Sequence, residues 1–543
     1  MKNYCLKISL ATASLMALTA CTDLDVDIKS QYTEYPDSEI ASEAQMADVF
    51  YAFRDQLGRR YNEMACLQSD EFTSLSYGSN WYDSGNYFHS STHDLSADDP
   101  CVGTWDDVSG GIVDCNKIIV TLGGEDEVDD ATIAQPLAMR AFYTFILMDE
   151  YGAVPIMDHV LEDGEVFDRS PRSEVAEFIE SDLLRAIESG GLSQDVDAST
   201  YGKPNYWMAK ALLAKLYINW AVYTCDDVAD YTPDLTNSKL DDCIDICDEI
   251  IASGLFDLSD SYKDKFLPDN GYEIKDFIYV MPYDNSTAQG MTYARFRFPK
   301  DAQDDGNGGE GLFAIGESFG SNFGGIFAVL PEAADRFYLE GDDRNDMIIG
   351  GPVYKINLSS YTVTDDPWLY NGEQVVLTHD ITLEDGATVT NAGDDIEGHS
   401  QGYRSIKWMP QAVDYSTYSR NQSNDIPIFR YADIILTKAE ALLRNGGSNS
   451  EAVSLFNQIR SYVNAPEFSG TLTLDDILEE RGREFFDENW RRNDLIRFGN
   501  FEDDWGFKNT FNPGQATELW RRIAPIPTSV LNSNTNWSQN YGY

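Results

Sequence analysis

Histidine is scarce in this chain, five in 543 residues, and 39 basic residues face 92 acidic ones. The first shortage leaves few ligands for a transition metal, and no histidine stands near the cysteines at a spacing that closes a zinc site. The second gives a formal charge of −53. Such a surface repels phosphate backbones and polyanions, which excludes nucleic acid as a natural partner and disfavours acidic polysaccharides. A neutral ligand is the simpler expectation. Past the N-terminus no apolar run approaches the roughly eighteen residues that a spanning helix needs. Two signatures of catalysis are missing as well: there is no Gly-x-x-x-x-Gly-Lys phosphate loop and no His-Glu-x-x-His helix. With so many carboxylates, a pair at glycosidase spacing arises by number alone and carries no information.

What is present begins with a leader. Lys2 and Lys7 bracket the start of an uncharged run, ISLATASLMALTA, that stops at Cys21. That is the layout of a secretory signal with small residues before the cut, and it is too short to span a bilayer. A cysteine directly after the cut can carry acyl chains, each buried methylene contributing about 0.8 kcal/mol, with more than one chain needed for stable anchoring. Residues 1–20 are thus expected to be a lipoprotein signal, Cys21 the lipidated residue, and the rest a globular body of ordinary composition tethered to a membrane. Export permits disulfides. Cys66, Cys101, Cys115, Cys225, Cys243 and Cys247 can be buried thiols or include one bridge, and their spacing does not choose.

Helical periodicity dominates the first half. Tyr206, Ala209, Leu213, Leu216 and Trp220 form one apolar stripe, with Pro204 near its start. Leu137, Ala141, Phe145 and Met148 form another that ends at Gly152, a natural C-terminal glycine. Ala432, Ile435, Ala439 and Leu442, then Ala452, Phe456, Ile459 and Val463, predict a helical hairpin turning at Gly446 and Gly447. Ala452, Phe456 and Pro466 fit a degenerate tetratricopeptide pattern. Between 255 and 425 the character changes to aromatic, Gly- and Asp-rich segments with strand-like runs, DFIYVMPY and QVVLTHDITL. The expected division is a helical part over 21–254, an irregular subdomain over 255–425 and a second helical part over 426–543.

The C-terminal part carries specific residues: Glu480, Arg481, Glu484, Arg491, Asp494, Leu495 and Arg497, then Pro525, Ile526, Pro527, Gln539, Asn540, Gly542 and Tyr543. With the leader and the segments RAFYTFILMDEYGAVPI, GYRSIKWMP and IPIFRYADIILTKAEALL, they resemble the SusD/RagB family, the surface glycan-binding lipoproteins of Bacteroidetes nutrient-uptake systems. The resemblance implies a mainly α fold, four tetratricopeptide-like units supporting a loop-rich half with short strands. It also implies a SusC-like TonB-dependent barrel as partner, which the protein would cap as a lid at the outer membrane, facing the exterior. The charged signature itself reads as structural: Glu479 and Arg483 are four apart in the favourable order, and the cluster can bridge helices where it is partly desolvated.

A sugar presents apolar C–H faces and a ring of hydroxyls, so its site needs flat aromatics for stacking and carboxamide, carboxylate or guanidinium groups for hydrogen bonds. The Gly- and Ser-rich segment YGSNWYDSGNYFHSSTHD supplies both, with Asn80, Trp81, Tyr82, Asp83 and Tyr87 as candidates. The family resemblance makes this loop a contributor to a glycan platform. Tyr283, Tyr293 and Arg295 form a second candidate surface, and Trp368 and Tyr370 a third. Turn-forming neighbours favour exposure of Tyr283 and Trp368, whereas alternation in TYARFRF suits a half-buried strand that would bury Phe296 and Phe298. Asp301, Asp305 and Gly306 match the first, fifth and sixth places of a calcium loop, but Gln303 and Leu312 break it. The segment reads as a solvated acidic loop, calcium being the alternative; no other cofactor is expected. The sequence therefore points to a non-catalytic receptor for a neutral oligo- or polysaccharide. The alternatives are an interaction scaffold or a carrier of peptide or glycoprotein-glycan cargo, and last a surface glycosidase.

Overall fold

The computed structural model describes residues 46–543 apart from residue 163; the leader and Cys21 lie outside the described residues. Among the described residues no helix is long and apolar enough to cross a membrane. Residues 47–543 form one unit.

Helices form where the apolar stripes run. Helices α1 (Tyr61–Leu67) and α2 (Asn86–Ser91) flank the aromatic N-terminal loop. Then α3 (Thr104–Thr121), α4 (Ala134–Tyr151), α5 (Arg172–Glu188), α6 (Tyr206–Ile218) and α7 (Leu240–Ser253) follow, each packed on the next. α8 (Ala294–Arg297) is a single turn, α9 (Tyr431–Arg444) and α10 (Asn449–Tyr462) are paired, and α11 (Leu474–Glu484) and α12 (Arg491–Phe498) carry the charged signature. Every residue of α4 but Gln135 is buried, as expected of a helix apolar on all sides. It stops at Gly152, whose φ of 78° turns the chain while its N–H still reaches the Met148 carbonyl. The predicted hairpin turns at Gly446, φ 66°, and restarts where the Ser448 hydroxyl accepts from the Glu451 N–H. The stripe running to Trp220 is not one helix: α6 breaks at Asn219, and a separate turn, Trp220–Thr224, follows.

The strands are short and pair in twos, all antiparallel. β1 (Phe72–Ser74) pairs with β3 (Phe327–Val329), and β2 (Phe277–Met281), within DFIYVMPY, pairs with β8 (Ile426–Arg430). β4 (Tyr354–Asn357) and β5 (Thr362–Pro367) form a hairpin, as do β6 (Leu369–Tyr370) and β7 (Glu373–Gln374). QVVLTHDITL supplies only fragments of strand. TYARFRF is the helical turn α8, not a strand. Its two phenylalanines are buried all the same, because α8 lies between two apolar clusters: Phe296 joins one with Phe72, Tyr77, Tyr87 and Phe327, and Phe298 joins one with Phe313, Phe323, Trp368 and Tyr415.

Charged residues tie these layers together from inside. Arg430, 2% exposed, reaches Asp276 at 2.6 Å, Glu484 at 2.8 Å and Glu488 at 2.8 Å. Arg344 pairs with Asp342, Glu480 and Glu484, and Arg481 and Arg497 share Asp494. Burial alone would raise the Glu480 pKa, but Arg344, Arg483 and Arg460 hold it down to about 2. The Glu479–Arg483 pair does not form. Arg483 turns to the desolvated Glu480 at 2.8 Å, where the attraction is stronger, and Glu479 faces Arg336 at 3.4 Å. Asp487 accepts from Arg297 at 2.8 Å and from the Ser405 hydroxyl at 2.9 Å, which fixes α8 against the helical half.

Candidate functional site

The N-terminal loop is held in a shape few sequences adopt. Tyr77 and Asn80 exchange backbone hydrogen bonds, both 2.9 Å, closing a two-residue turn that needs the left-handed Gly78, φ 59°. Trp81, Asp83 and Ser84 follow at φ 65°, 46° and 59°. Each such residue costs on the order of 1–3 kcal/mol and persists only where the surroundings enforce it. Tyr77 supplies one restraint: it is buried and its hydroxyl donates to the Gly325 carbonyl. Gly324 supplies another, since the Trp81 indole lies directly over it. A Cβ at that position would sit 2.6 Å from Trp81 Cζ2.

α8 brings a guanidinium to the indole. Arg297 points inward to Asp487, so Arg295, two residues earlier on a helix of 3.6 residues per turn, points the opposite way. The Arg295 guanidinium carbon lies 5.0 Å from the Trp81 ring centre and 5.3 Å from that of Phe296. Beyond the loop, the Asn80 amide donates to Asp394 at 2.9 Å, and the other Asp394 oxygen meets His399 Nε2 at 3.1 Å. Asp301 accepts from Lys300 at 2.8 Å and from the Tyr370 hydroxyl at 3.2 Å. Burial, then the Asp301 charge, pushes the Tyr370 phenol up to about 12, so it remains a donor at neutral pH. The hydrogen bond from His399 keeps the Asp394 carboxyl below its ordinary value, while burial lowers His399 despite that partner.

Asn80, Trp81, Tyr82, Asp83, Arg295 and Tyr370 are thereby placed on the surface built around this loop and its contacts, with Tyr82 38% exposed. The other four candidates are core residues, and the expectation that they face a ligand is corrected. Tyr293 is 0% exposed and donates to the Leu57 carbonyl at 2.6 Å; Tyr283 is 5% exposed and donates to the Arg54 carbonyl at 2.6 Å. Backbone acceptors satisfy both phenols, which removes the reason for either ring to stay at the surface. Trp368 lies in the apolar cluster beneath Tyr370, their ring centres 6.4 Å apart, and Tyr87 packs on Phe296 and Phe327. Sequence reasoning missed Gly324, Asn322, Arg420, Asp394 and His399. None carries a local signal: Asn322 and Arg420 meet across 98 residues of chain, Asp394 meets Asn80 across 314, and Gly324 lies under Trp81.

In the acidic loop, Asp305 accepts from the Asn307 and Gly309 N–H groups and Glu310 pairs with Lys355. Among the described residues no three His, Cys, Asp or Glu side chains converge to hold a metal ion. The six candidate cysteines are all free thiols. Cavities of about 370 Å³ and 590 Å³ lie elsewhere, lined by residues such as Met347 and Ile406 in one and Asp55 and Asp106 in the other; the aromatic loop sits on an open shelf. Chemically, the shelf offers a partly exposed indole, a phenol, a carboxamide and guanidinium donors.

Residues 275–543 match a model described as the SusD family, and residues 24–218 match one described as starch-binding and associating with the outer membrane. The starch-binding protein SusD of Bacteroides thetaiotaomicron is 36% identical over 158 residues, a match spanning 28% of this chain and 28% of that protein. A SusD-like protein of Bacteroides ovatus is 25% identical over 502 residues, 89% of this chain and 80% of the other. Among solved structures, a laminarin-binding SusD-like protein superposes with a TM-score of 0.67 at 22% identity, covering 93% of this chain and 100% of that one. Surface glycan-binding protein A of Bacteroides uniformis gives 0.67 at 19%, covering 92% and 99%, and a SusD superfamily protein of Parabacteroides distasonis gives 0.66 at 20%, covering 93% and 99%. Two models that account for both halves, a related sequence across nearly the whole length and one fold shared throughout leave a single placement: the chain belongs to the SusD/RagB family.

Proposed function

We propose that this protein is a non-catalytic cell-surface receptor that captures a polysaccharide or its oligosaccharides on the Trp81 shelf and delivers them to a SusC-like TonB-dependent barrel in the outer membrane. The observation that carries the reading is the Trp81 indole, seated on Gly324, partly exposed, and presented by a loop strained at Trp81, Asp83 and Ser84. An aromatic face of that kind stacks on the apolar side of a sugar ring, while Asn80, Asp83, Arg295 and Tyr370 supply donors and acceptors for hydroxyls. Relatives named for binding starch, laminarin and glycans support the ligand class. Binding strength then accumulates along a chain of sugars, which favours oligomers over single residues. Acylation at Cys21 would keep the receptor at the membrane, where opening and closing over the barrel would hand the ligand inward.

Trp81→Ala is the test. Its retardation in gels containing the polysaccharide that binds the wild type should disappear, with the thermal transition nearly unchanged and no new reducing ends in either mixture. Equal retardation of the two proteins would sink the reading. Release of reducing ends by the wild type would move the protein to the glycosidases.

A further inference from the structure

The cationic side of the shelf says more about the ligand than its aromatics do. Among the described residues, the Arg295 side chain makes no hydrogen bond and no ion pair, and its Nε is buried without an acceptor. Its plane is held instead by the Trp81 and Phe296 rings. Arg420, itself at φ 71°, stands beyond the segment 322–324: its guanidinium donates to the Asn322 side-chain oxygen at 2.5 Å and to the Asn322 carbonyl at 3.3 Å, and meets no carboxylate. Two residues on, the Gly324 N–H donates to the Arg295 carbonyl at 2.7 Å, so one short segment braces both arginines. Nearby Arg59, by contrast, is neutralised by Glu63 at 3.0 Å. Burial and the charges of Arg420 and Arg59 lower the Arg295 pKa, the mark of a cation among cations. In a chain with 92 acidic residues, two neighbouring guanidiniums without a carboxylate beside the partly exposed indole form a place prepared for an anion.

Resting on the platform reading above, we propose that the captured glycan carries an anionic substituent, a uronate carboxylate or a sulfate ester, on the sugar that stacks on Trp81 or on its neighbour, and that Arg295 and Arg420 bind it. A guanidinium fork matches the two oxygens of either group, and pre-orientation by the rings reduces what is lost on binding. The overall negative charge does not oppose this at contact range. At physiological salt the screening length is about 8 Å, so remote carboxylates are damped while the two arginines are not. The same balance selects glycans whose acid groups are sparse over polymers charged at every residue.

Calorimetric titration of the purified protein compares glucuronoxylan with the same polymer after reduction of its carboxyls to alcohols, and a sulfated galactan with its desulfated form. At least one anionic polymer should bind ten-fold or more tightly than its uncharged counterpart, and which pair shows the difference separates carboxylate from sulfate. Arg295→Gln and Arg420→Gln should each bring that ratio to within about two-fold, while Trp81→Ala weakens both members of the pair, the charged one the more because Arg295 loses a stacking partner. Equal binding of charged and uncharged forms, or a preference that survives the double arginine variant, overturns the anion assignment and leaves the receptor reading standing. Indifference to Trp81→Ala, or no binding of any glycan, overturns the receptor reading and the anion assignment with it.

Discussion

Gly324→Ala isolates the shelf from the fold. Gly324 is not among the residues with positive φ, so alanine strains no backbone there, and the atoms its Cβ would meet are Trp81 Cζ2 at 2.6 Å, Cη2 at 2.8 Å and Cε2 at 2.9 Å. Carbon contacts are comfortable at about 3.5–4.0 Å, so the indole must retreat by about 1 Å. In a closed core such overpacking costs about 1–3 kcal/mol. Here the ring is only partly buried and can tilt outward, which puts the expected loss at about 1 kcal/mol, or a few degrees in Tm at most. The ligand loses more: a displaced tryptophan at the centre of a binding surface typically forfeits about 2 kcal/mol, roughly thirty-fold in Kd, and Arg295 loses its stacking partner too. Calorimetry and thermal unfolding on the same preparation read the two effects separately. Unchanged affinity would refute the placement of ligand on Trp81. A collapse of Tm by ten degrees or more would show the indole to be core rather than contact.

Other consequences follow from the interior. Arg430→Met leaves Asp276, Glu484 and Glu488 buried without their shared cation; denaturant unfolding should show a loss of about 3–5 kcal/mol, and a loss below 1 kcal/mol would contradict the network's structural role. Burial, reinforced by Asp487 and Asp70 against Arg491, raises the Glu71 pKa to about 8. Its folded value lies above the unfolded one, so its contribution to stability is present at low pH and is lost as pH rises from about 4.5 to about 8. Glu71→Gln should flatten Tm over that window, and an unchanged slope would refute the assignment. Glu480 works in the other direction. Its value of about 2 gives stability above about pH 4.5 that disappears as pH falls toward 2, and acid unfolding of Glu480→Gln should lose that component. Finally, burial pushes Cys66 up and Cys101 to about 12, so a disulfide exchange reagent should titrate at most Cys225 in the native protein. Full unfolding without reductant should add the other five thiols of the globular body; a shortfall of two would reveal a disulfide.

Periodic elements were legible because burial leaves a local trace. The stripe from Leu137 to Met148 with Gly152, and the pair of helices around Gly446 and Gly447, could be read from a dozen residues each. The shelf was half legible. The crowded loop at Asn80–Asp83 advertises itself through Gly, Ser and aromatics, but Trp81 owes its position to Gly324 and Arg295, more than two hundred residues on, which the sequence around it cannot express. The same limit explains Tyr283 and Trp368. Turn-forming neighbours favoured exposure, yet a carbonyl from Arg54 and the apolar cluster under Tyr370 took these rings inside. With aromatics at 13% of the chain, ring content alone does not separate core from contact. In the charged signature residue types were decisive and pairing was not: Arg483 chose Glu480 over Glu479 because burial, not helical spacing, sets the stronger attraction.

The most direct test of the central claim is calorimetric titration of the purified protein against a panel of polysaccharides and their oligosaccharides, neutral and acidic, with assay of reducing ends in each mixture. Saturable binding of one class, with every ligand recovered intact, is the predicted result. No heat with any glycan, or ligand cleaved during the titration, would contradict it.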